Sequence, residues 1–447
     1  MTTGTTGTTG PAAPAGFGTA YHRLTGAAGI SAVGDGMRFA ALPLLSAALL
    51  HEAFQVSVVT AATTVPWLLF GLPAGAYADR FERQRLMVLA DLLRAGTLIV
   101  TAVLLATGRL TFWPLVAAAF LLGVGEVLFD CASFALLPGV VPKDRLEAAN
   151  GRLFAVQTVG RDLLGHVLGG ILFAAGRAVP LVLDALSFLA SAALLRGVRG
   201  PRPAPPAGRP HLLGEIREGL EHVVRDPLLR ALTVSAGLIN AVYLGQVAVF
   251  VILVRDVLHL PSAAYGALVA AGAVGGVIGG ATASRISRAA GRVPTLLGGL
   301  VLIGAAGAAV AATGSVAVVA VAYSASGFAL MLWNVVAVSL RQGLIPDRLL
   351  GRATGVYRLF AWGTMPLGAL LFGALTEATG PRTAFAAGGA VILALALAVA
   401  PVLFRDGRAR YETTTGATGA TGATEATGES AANESGLTPE PASERDD

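Results

Sequence analysis

Long apolar runs, each about the length that crosses a bilayer, dominate this sequence of 447 residues. Hydrophobic residues make up 54% of the chain and charged residues only 13%, against roughly one quarter in a soluble domain. A helix needs about 20 apolar residues to span a hydrocarbon core about 30 Å thick. The pattern predicts an all-α membrane protein with twelve transmembrane helices. The predicted spans are 25–50, 55–77, 86–107, 112–136, 151–175, 180–196, 230–254, 264–286, 294–312, 316–340, 352–376 and 383–404.

Two segments recur at a single offset, which indicates that the chain contains an internal duplication. One of them is GLPAGAYADRFERQR, residues 71–85, a charged turn between two apolar runs. A shift of 204 residues places its glycines on those of GGVIGGATASRISR, and places VVPKDRLEAANG on LIPDRLLGRATG. The matching pairs are Gly71 with Gly275, Gly75 with Gly279, Pro142 with Pro346, Leu146 with Leu350 and Gly151 with Gly355. We therefore predict two pseudo-symmetric six-helix bundles, parallel repeats related by an axis along the bilayer normal, as in transporters.

Composition divides the chain into two bundles, a linker and two tails. Residues 1–20 and 407–447 are rich in small and polar residues and have few apolar residues to bury, which predicts disordered cytoplasmic tails. The bundles are predicted at 21–197 and 228–406. In the linker, 198–227, a Pro-rich stretch precedes apolar residues at helical spacing, so we expect an amphipathic helix on the cytoplasmic surface.

The distribution of arginine and lysine predicts the orientation in the membrane. Cations are concentrated in the even-numbered loops, in the linker and at the start of the C-terminal tail. The opposite side has only Arg109, Arg177, Arg255 and Arg382. Under the positive-inside rule both termini are cytoplasmic, in a multi-pass protein of the cell membrane. The net charge of +5 then reflects topology and not a nucleic-acid partner, since a basic patch for nucleic acid would cluster on one soluble face.

Several residue types are too rare to build common catalytic or cofactor sites. Cys131 is the only cysteine, which excludes disulfides and thiolate clusters, and the histidines have no metal-ligand spacing. Lys143, the only lysine, is followed by Asp144, so the chain lacks the Gly-Lys-Ser/Thr of a phosphate-binding loop. We expect no enzyme activity, no cofactor and no metal.

Ionisable side chains inside the predicted spans mark the candidate functional site, because each costs about 2.5 kcal/mol or more at the centre of a helix. A proton-coupled carrier needs a buried carboxylate that gains and loses a proton, and a nearby cation that competes for its charged form. The candidates for proton coupling are Asp35, Glu126, Asp130, Asp162 and His166, with Arg38 and Arg161 as counter-charges. The alternative is a set of static ion pairs that lock helices together and, for His166, hydrogen-bonded packing.

The C-terminal half has few charges inside its spans and offers hydrogen-bonding and aromatic residues instead. Together with two aromatic residues of the N-terminal half, these predict a mostly apolar cavity with a few polar groups. The candidate cavity residues are Phe39, Trp67, Asn240, Tyr243, Gln246, Trp333, Asn334 and Trp362. Such a lining suits a lipophilic natural product better than a sugar or a phosphate, which demand several polar groups or an arginine clamp.

The turn after the second span fits the pattern Gly-x-x-x-Asp-Arg-x-x-Arg, with Gly75, Asp79, Arg80 and Arg83 at the fixed positions. With this motif the chain, over about residues 20–405, resembles an exporter of the major facilitator superfamily. The segments ISAVGDGMR, GEVLFDCASFALLPGVVP, LVLDALSFLASA and RQGLIPDRLLGRATGVYR resemble the enterobactin-exporter and macrolide-efflux branch. The resemblance implies the major facilitator fold and export of siderophores, macrolides or other drug-like compounds in exchange for protons.

The same resemblance implies that the turn is a cytoplasmic latch that stabilises one access state. Charged groups beside carboxylates and helix ends would hold the two halves together there. The residues carried over to the latch are Gly71, Gly75, Asp79, Arg80 and Arg83, with Asp91, Arg94 and Arg358 as its partners. The alternative is that these charges only set the topology.

The fifth span resembles the glycine-rich motif of drug/proton antiporters. The matching residues are Gly151, Gly160, Gly165, Gly169 and Gly170. The spacing from Gly160 to Gly165 is one residue longer than in the motif, and His166 replaces its proline. The fourth span has Glu126 and Asp130 and lacks the arginine of the superfamily, so a proton relay that depends on that arginine is not carried over.

These features predict a secondary active exporter that works by alternating access and is driven by proton entry. Its partners are then a small-molecule substrate, protons and the lipid bilayer, and we expect a monomer. Two alternatives stay open: a proton-coupled importer of a small nutrient, and a membrane receptor or scaffold that binds a ligand without moving it. Replacing Asp35 or Glu126 should stop proton-linked flux in a carrier and leave binding intact in a scaffold.

Overall fold

The computed structural model describes residues 17–80, 82–142, 145–198, 212–345 and 347–405, and nearly all of them are helical. The helices in these ranges are α1 Thr19–Leu49, α2 Ala53–Arg80, α3 Arg83–Ala106, α4 Phe112–Leu136, α5 Leu146–Thr158, α6 His166–Ala175, α7 Val179–Leu195, α8 Leu212–Arg225, α9 Pro227–Ile252, α10 Ser262–Ala290, α11 Arg292–Ala312, α12 Val316–Leu344, α13 Asp347–Gly363, α14 Met365–Thr379 and α15 Pro381–Arg405. A π-helical segment at Val159–Gly165 joins α5 to α6, and a second at Leu253–Val257 ends α9.

All twelve predicted spans coincide with helices of the described residues. Ten stretches there are long and apolar enough to cross a membrane, and α7 is a shorter apolar helix of 17 residues. The predicted fifth span is one continuous rod of α5, the π-helical segment and α6. The eleventh is divided between α13 and α14, because Pro366 in the first turn of α14 has no N–H to continue the hydrogen-bond ladder. The predicted twelve-helix, all-α membrane architecture is confirmed.

The outer surface of the bundle is apolar, as contact with lipid requires. Val321 and Leu371 are each 69% exposed, and Leu397 is 77% exposed. On a soluble protein, large exposed apolar surfaces of this kind mark interaction sites or aggregation hazards. On helices of this length they are the surface that meets the hydrocarbon core.

Each half is held together by its own helix pairs, and glycines allow the closest of them. In the N-terminal half α1 packs on α7 and α2 on α4, and in the C-terminal half α10 packs on α12. Gly275 and Gly279 of α10 lie directly against backbone atoms of Ser324 and Phe328 of α12, where a Cβ atom has no room. Small residues at such contacts are the usual basis of tight helix pairing in membranes.

The two halves are in closest contact at one end of the bundle. We name the end at which α1 begins the terminal end, and the opposite end the distal end. Across the halves α2 packs along α14, and α6 packs along α10, where a Cβ atom on Gly170 would lie 2.7 Å from the carbonyl oxygen of Ser262. Within the described residues α5, which continues the rod toward the terminal end, makes no comparable contact with α10. The halves are therefore closed against each other distally.

The amphipathic helix predicted in the linker is α8, and it packs at the terminal end of the C-terminal half. Val223 of α8 is buried in a cluster with Leu229, Ile345, Leu349 and other residues of α13. The opposite face is polar, with Arg217 and Arg225 both paired to Glu221. The Pro-rich linker and most of the two predicted tails lie outside the described residues, so the disorder of the tails stays a prediction.

Candidate functional site: a buried ion network in the N-terminal half

Arg38 of α1 is the centre of the site. Its side chain is fully buried, and its guanidinium contacts three carboxylates from three helices. Nη2 lies 2.8 Å from Asp35 Oδ1 and 3.3 Å from Glu126 Oε2 of α4, and Nε lies 3.6 Å from Asp184 Oδ2 of α7. Ser187 Oγ donates a hydrogen bond to the other oxygen of Asp184 at 3.2 Å. One arginine thus ties α1, α4 and α7 together inside the membrane.

Arg94 of α3 extends the network from the other side of Asp35. Its Nη1 lies 3.4 Å from Asp35 Oδ2, its Nη2 pairs with Asp91, and its guanidinium carbon lies 4.0 Å from the ring centroid of Phe188. Asp91 and Arg94 are both buried. From the sequence, Asp91 and Arg94 were expected to be partners of the latch. In the structure both belong to this network, since Arg94 contacts Asp35 of α1 as well as Asp91.

Glycines make the room for these long side chains. Gly34 of α1 lies directly against the side chains of Asp184 and Ser187, and a Cβ atom on Gly125 of α4 would lie 2.5 Å from Cγ of Arg94. A larger residue at either position would displace a charged group from its partner. The network therefore depends on these two glycines as well as on its charged side chains.

The exposed end of the network lies on the continuous rod of α5, the π-helical segment and α6, which we call the fifth rod. Arg161, in the π-helical segment, places Nη1 3.7 Å from Glu126 Oε1 and Nε 3.9 Å from Asp162 Oδ1. Side-chain exposure is 33% for Arg161 and 42% for Asp162, against 12% for Glu126. Asp130 lies one turn beyond Glu126 on α4, and none of the ion pairs between described residues includes it. Single π-helical turns of this kind are frequent at functional sites.

His166 follows the π-helical segment and packs beside the network. Its Nδ1 lies 3.2 Å from the carbonyl oxygen of Asp162, and its ring stacks on Phe39 with centroids 6.5 Å apart. The guanidinium carbon of Arg38 lies 4.5 Å from the same Phe39 ring. Phe39, predicted to line the substrate cavity, is therefore also the spacer between the buried arginine and His166.

Carboxylates outnumber guanidinium groups in this network. The paired carboxylates are Asp35, Asp91, Glu126, Asp162 and Asp184, and the guanidinium groups are those of Arg38, Arg94 and Arg161; Asp130 lies beside them on α4. If every group were ionised, the network would hold an excess of two negative charges in a setting where uncompensated charge is costly. Among the described residues, several buried atoms also lack a hydrogen-bond partner, including Arg38 Nη1 and Asp91 Oδ2. The arrangement has both a surplus of proton acceptors and unused hydrogen-bonding capacity.

The glycines of the fifth rod are packing surfaces for two different helices. Gly160, Gly165 and Gly169 face α1, and a Cβ atom on Gly165 would lie 2.5 Å from the Cα atom of Gly36. Gly170 faces α10 of the other half, whereas Gly151 has open space around its Cα atom. The rod therefore touches the helix that carries Arg38 and the opposite half with adjacent residues.

The predicted cavity residues fall into three groups in the structure. Tyr243, 44% exposed, and Gln246 line a small pocket of α9, α11 and α12 together with Ser326 and Leu330. Trp67 and Trp362 meet edge to face across the two halves, with ring centroids 4.7 Å apart. Asn334 is half-buried on α12.

Two of the cavity predictions need correction or a different explanation. Trp333 is only 2% exposed and packs in the core of the C-terminal half against Gly299, so the prediction that it lines the cavity is wrong. Its place in an apolar span did not reveal which face of α12 it occupies. Asn240 donates a hydrogen bond from Nδ2 to the carbonyl oxygen of Ala361 at 2.9 Å, which joins α9 to α13.

Part of the predicted latch lies outside the described side chains. The helix α2 continues through Gly71 and Gly75 to Arg80, so the segment that the sequence analysis read as a turn is mostly helical. The side-chain surroundings of Asp79 and Arg80 are outside the described residues. Arg83 begins α3, and Arg358 of α13 is exposed, with its guanidinium carbon 5.7 Å from the Trp362 ring centroid.

Sequence reasoning missed Asp184, which it did not include among the functional residues. A carboxylate inside an apolar span is itself a signal, and Asp184 lies one turn after Pro180 in the sixth span. Its partner Arg38, however, is on α1, and only the packing of α1 on α7 brings the two together.

Comparisons with known proteins agree with this architecture. The family model described as transmembrane secretion effectors matches residues 10–415. The multidrug efflux pump Tap of Mycolicibacterium fortuitum is 27% identical over 368 residues, covering 79% of this chain and 88% of that protein. Tap of Mycobacterium tuberculosis is 28% identical, with 80% and 87% covered. The enterobactin exporter EntS of Shigella boydii is 25% identical over 397 residues, with 85% and 91% covered.

Solved structures give the same fold. A bacterial homologue of the iron transporter ferroportin, in an inward-facing state, aligns with a TM-score of 0.69 at 19% identity, over 86% of this chain and 98% of that one. A bacterial homologue of the human lysosomal transporter Spinster, inward-facing and unoccupied, aligns with a TM-score of 0.67 at 15% identity, over 85% and 95%. At these identities the likeness shows the fold alone.

Proposed function

Because the chain belongs to the transmembrane secretion effector family of the major facilitator superfamily, we propose that it is a proton-coupled exporter of a lipophilic, drug-like small molecule. The sequence-based assignment to this superfamily is confirmed, and so is the conclusion that the chain is an efflux-type membrane transporter and not an enzyme. Proton coupling, the substrate class and the orientation in the membrane are proposed here.

The surplus of carboxylates in the buried network is the observation that carries proton coupling. A carboxylate that takes up a proton loses its attraction for a neighbouring guanidinium, so protonation of Glu126 would release Arg161 on the fifth rod. Protonation of Asp35 would weaken one ion pair of Arg38 and one of Arg94, which keep their contacts with Glu126, Asp184 and Asp91. Each event loosens contacts between helices, which is what a proton needs to do in order to favour one access state over another.

The fifth rod supports a link between this network and the movement of the halves. Arg161 faces Glu126 from the rod, and Gly170, further along the same rod, packs against α10 of the C-terminal half. A shift of the rod relative to α1 therefore changes the contact between the halves. Alternating access in such folds is largely a rigid movement of one repeat against the other around a central site.

The positive-inside rule supports an orientation with the terminal end in the cytoplasm. With the halves closed distally, the described conformation would then accept substrate from the cytoplasm, as an exporter in its loading state does. We propose that the chain acts as a monomer in the bilayer, since the path between the halves needs only one chain.

The substrate class rests on the cavity lining and on the relatives. Tyr243, Gln246 and Ser326 supply a few hydrogen-bonding groups beside the apolar Leu330 in the small pocket of the C-terminal half. A mostly apolar lining with a few polar groups suits a lipophilic natural product. The relatives are named a multidrug efflux pump and an enterobactin exporter, which is consistent with such a substrate.

Proteoliposomes that contain a pH-sensitive dye test the proposal. Under an imposed proton gradient, a panel of lipophilic antibiotics and siderophores is added, and a substrate should produce a change in internal pH. Asp35→Asn and Glu126→Gln should abolish the response, whereas Glu221→Gln, a matched change on the exposed face of α8, should preserve it. A response that survives both network variants would refute proton coupling through this site. Tight binding of a compound without any flux would favour a receptor.

A further inference from the structure

The turn between α1 and α2 is held by two charged side chains of the C-terminal half. From the end of α9, Arg255 donates a hydrogen bond through Nη1 to the carbonyl oxygen of Ala47, in the last turn of α1. From the last turn of α14, Glu377 accepts a hydrogen bond from the N–H of Ala53, the first residue of α2, at 2.5 Å. The two contacts are six residues apart and lie on the two sides of one short turn.

The sign of each charge matches the helix end that it meets. The last four carbonyl groups of a helix and its first four N–H groups have no partner within the helix. The partial charges there are negative at a C-terminus and positive at an N-terminus, so a guanidinium suits the end of α1 and a carboxylate suits the start of α2. Arg255 and Glu377 meet both requirements.

The position of Arg255 is itself fixed by its neighbourhood. The π-helical segment Leu253–Val257 ends α9, and such a segment changes the direction in which side chains leave a helix. Asp256 binds the guanidinium through two hydrogen bonds, of 2.5 Å from Nε and 2.8 Å from Nη2, which leaves Nη1 for Ala47.

The same region is where the halves approach most closely. Gly373 of α14 lies directly against the side chain of Ser57 of α2, which is fully buried there. Separation of the halves at the distal end would therefore have to break the contacts of Arg255 and Glu377 and expose Ser57.

We propose that Arg255 and Glu377 form a distal clasp, a pair of charged contacts to the ends of α1 and α2 that holds the distal end of the transport path closed. Release of the clasp is the step that opens this end. The proposal goes beyond the proposed function, because it depends neither on the substrate nor on the coupling ion.

The accessibility of a cysteine at position 57 tests the clasp directly. In a Cys131→Ala background, Ser57→Cys places the only thiol in the buried distal seam, and its rate of alkylation by a maleimide follows the population that is open there. The variants are Arg255→Gln, Glu377→Gln and both together. Each lost contact of a charge with a helix end should raise the rate roughly two- to fivefold, and the double variant should show about the product of the two factors.

Matched controls remove charges from the same end of the molecule without touching the clasp. Arg177→Gln and Arg109→Gln change exposed residues at the distal end and should leave the rate unchanged. Unchanged rates in the single and double clasp variants would overturn the proposal, and so would equal increases in the controls.

A second measurement guards against a disturbed fold at position 57. Nitroxide labels at Ala106→Cys and Ser315→Cys, exposed distal positions in the two halves, report the separation of the halves by electron paramagnetic resonance. The double clasp variant should shift the distance distribution to longer values in the absence of substrate and of a proton gradient. An unshifted distribution would refute the clasp. A shift in the double variant, together with no proton-linked flux in the parent protein, would count against the proposed function alone.

Discussion

Gly165→Ala adds one methyl group to the fifth rod and should move this rod away from α1, which carries Arg38 of the buried network. The Cβ atom of Gly165→Ala would lie 2.5 Å from Cα of Gly36 and 2.8 Å from the carbonyl oxygen of Val33. Ordinary van der Waals contact begins at 3.4 Å, so the rod has to move away from α1 by about 1 Å. Backbone atoms on α1 cannot rotate out of the way as a flexible side chain would.

The cost of this movement can be estimated in two parts. Overpacking of a tight contact destabilises by about 1–3 kcal/mol. The pair between Arg161 and Glu126 is already 3.7 Å long, and a further 1 Å or so would weaken its Coulomb attraction by about one fifth and break its close contact. We therefore expect Gly165→Ala to lower the midpoint of thermal unfolding in detergent, and to reduce proton-linked flux in proteoliposomes more than the loss of folded protein explains.

Gly151→Ala is the matched control for this prediction. Gly151 belongs to the same motif and the same rod, but no other helix of the described residues has an atom within 4 Å of the position that its Cβ atom would occupy. The substitution should be neutral or stabilise by about 0.5–1 kcal/mol, because alanine is the better helix former. If Gly165→Ala and Gly151→Ala have the same stability and the same flux, the argument that the glycines set the distance from α1 is refuted.

Two further predictions concern packing in and between the halves. Trp333→Ala should destabilise the protein by about 3–5 kcal/mol in denaturation experiments and leave the affinity for substrate unchanged. Tyr243→Phe should lower the affinity for substrate and leave the stability unchanged, because of these two residues only Tyr243 faces the pocket. Gly373→Val should force α14 away from Ser57 and shift nitroxide distances at the distal end to longer values, while folding of each half is retained.

For each of these two predictions, one result would contradict the reasoning. A loss of substrate affinity in Trp333→Ala at full stability would place the indole in the cavity after all. Distal distances in Gly373→Val that match the parent protein would show that the seam accepts a larger residue by local adjustment.

The membrane spans could be predicted because the signal is local. Each run of about 20 apolar residues is long enough by itself to form a helix that spans the bilayer. The break at Pro366 has an equally local cause. The contacts of Arg38 with Glu126 and Asp184 have no local cause, since they depend on how α1, α4 and α7 pack. The sequence identified Arg38 as a counter-charge through its position in a span, and it identified the carboxylates in the same way, but it could not pair them.

The wrong and displaced assignments share one physical origin. A sequence shows that Trp333 is in a span but not which face of the helix meets the core, and α12 is apolar on several faces. Asp91 and Arg94 lie inside the predicted third span, 86–107, so the sequence shows that they are on a membrane helix but not that Arg94 meets Asp35 of α1.

Asp130 and Asp184 allow the coupling role and the structural role of a buried carboxylate to be separated. Asp184 is fully buried beside Arg38 and accepts a hydrogen bond from Ser187, so Asp184→Asn removes a partner from a buried guanidinium and should cost about 3 kcal/mol of stability. Asp130 belongs to none of the ion pairs between described residues, so neutralising it removes an uncompensated charge and should be neutral or stabilising. Yet Asp130 is the acceptor with the least competition from a cation, so Asp130→Asn should lower proton-linked flux.

Denaturation and flux measured on the same two variants give the test. If Asp130→Asn transports normally, the surplus carboxylates do not carry the proton, and the network is a static lock between α1, α3, α4 and α7.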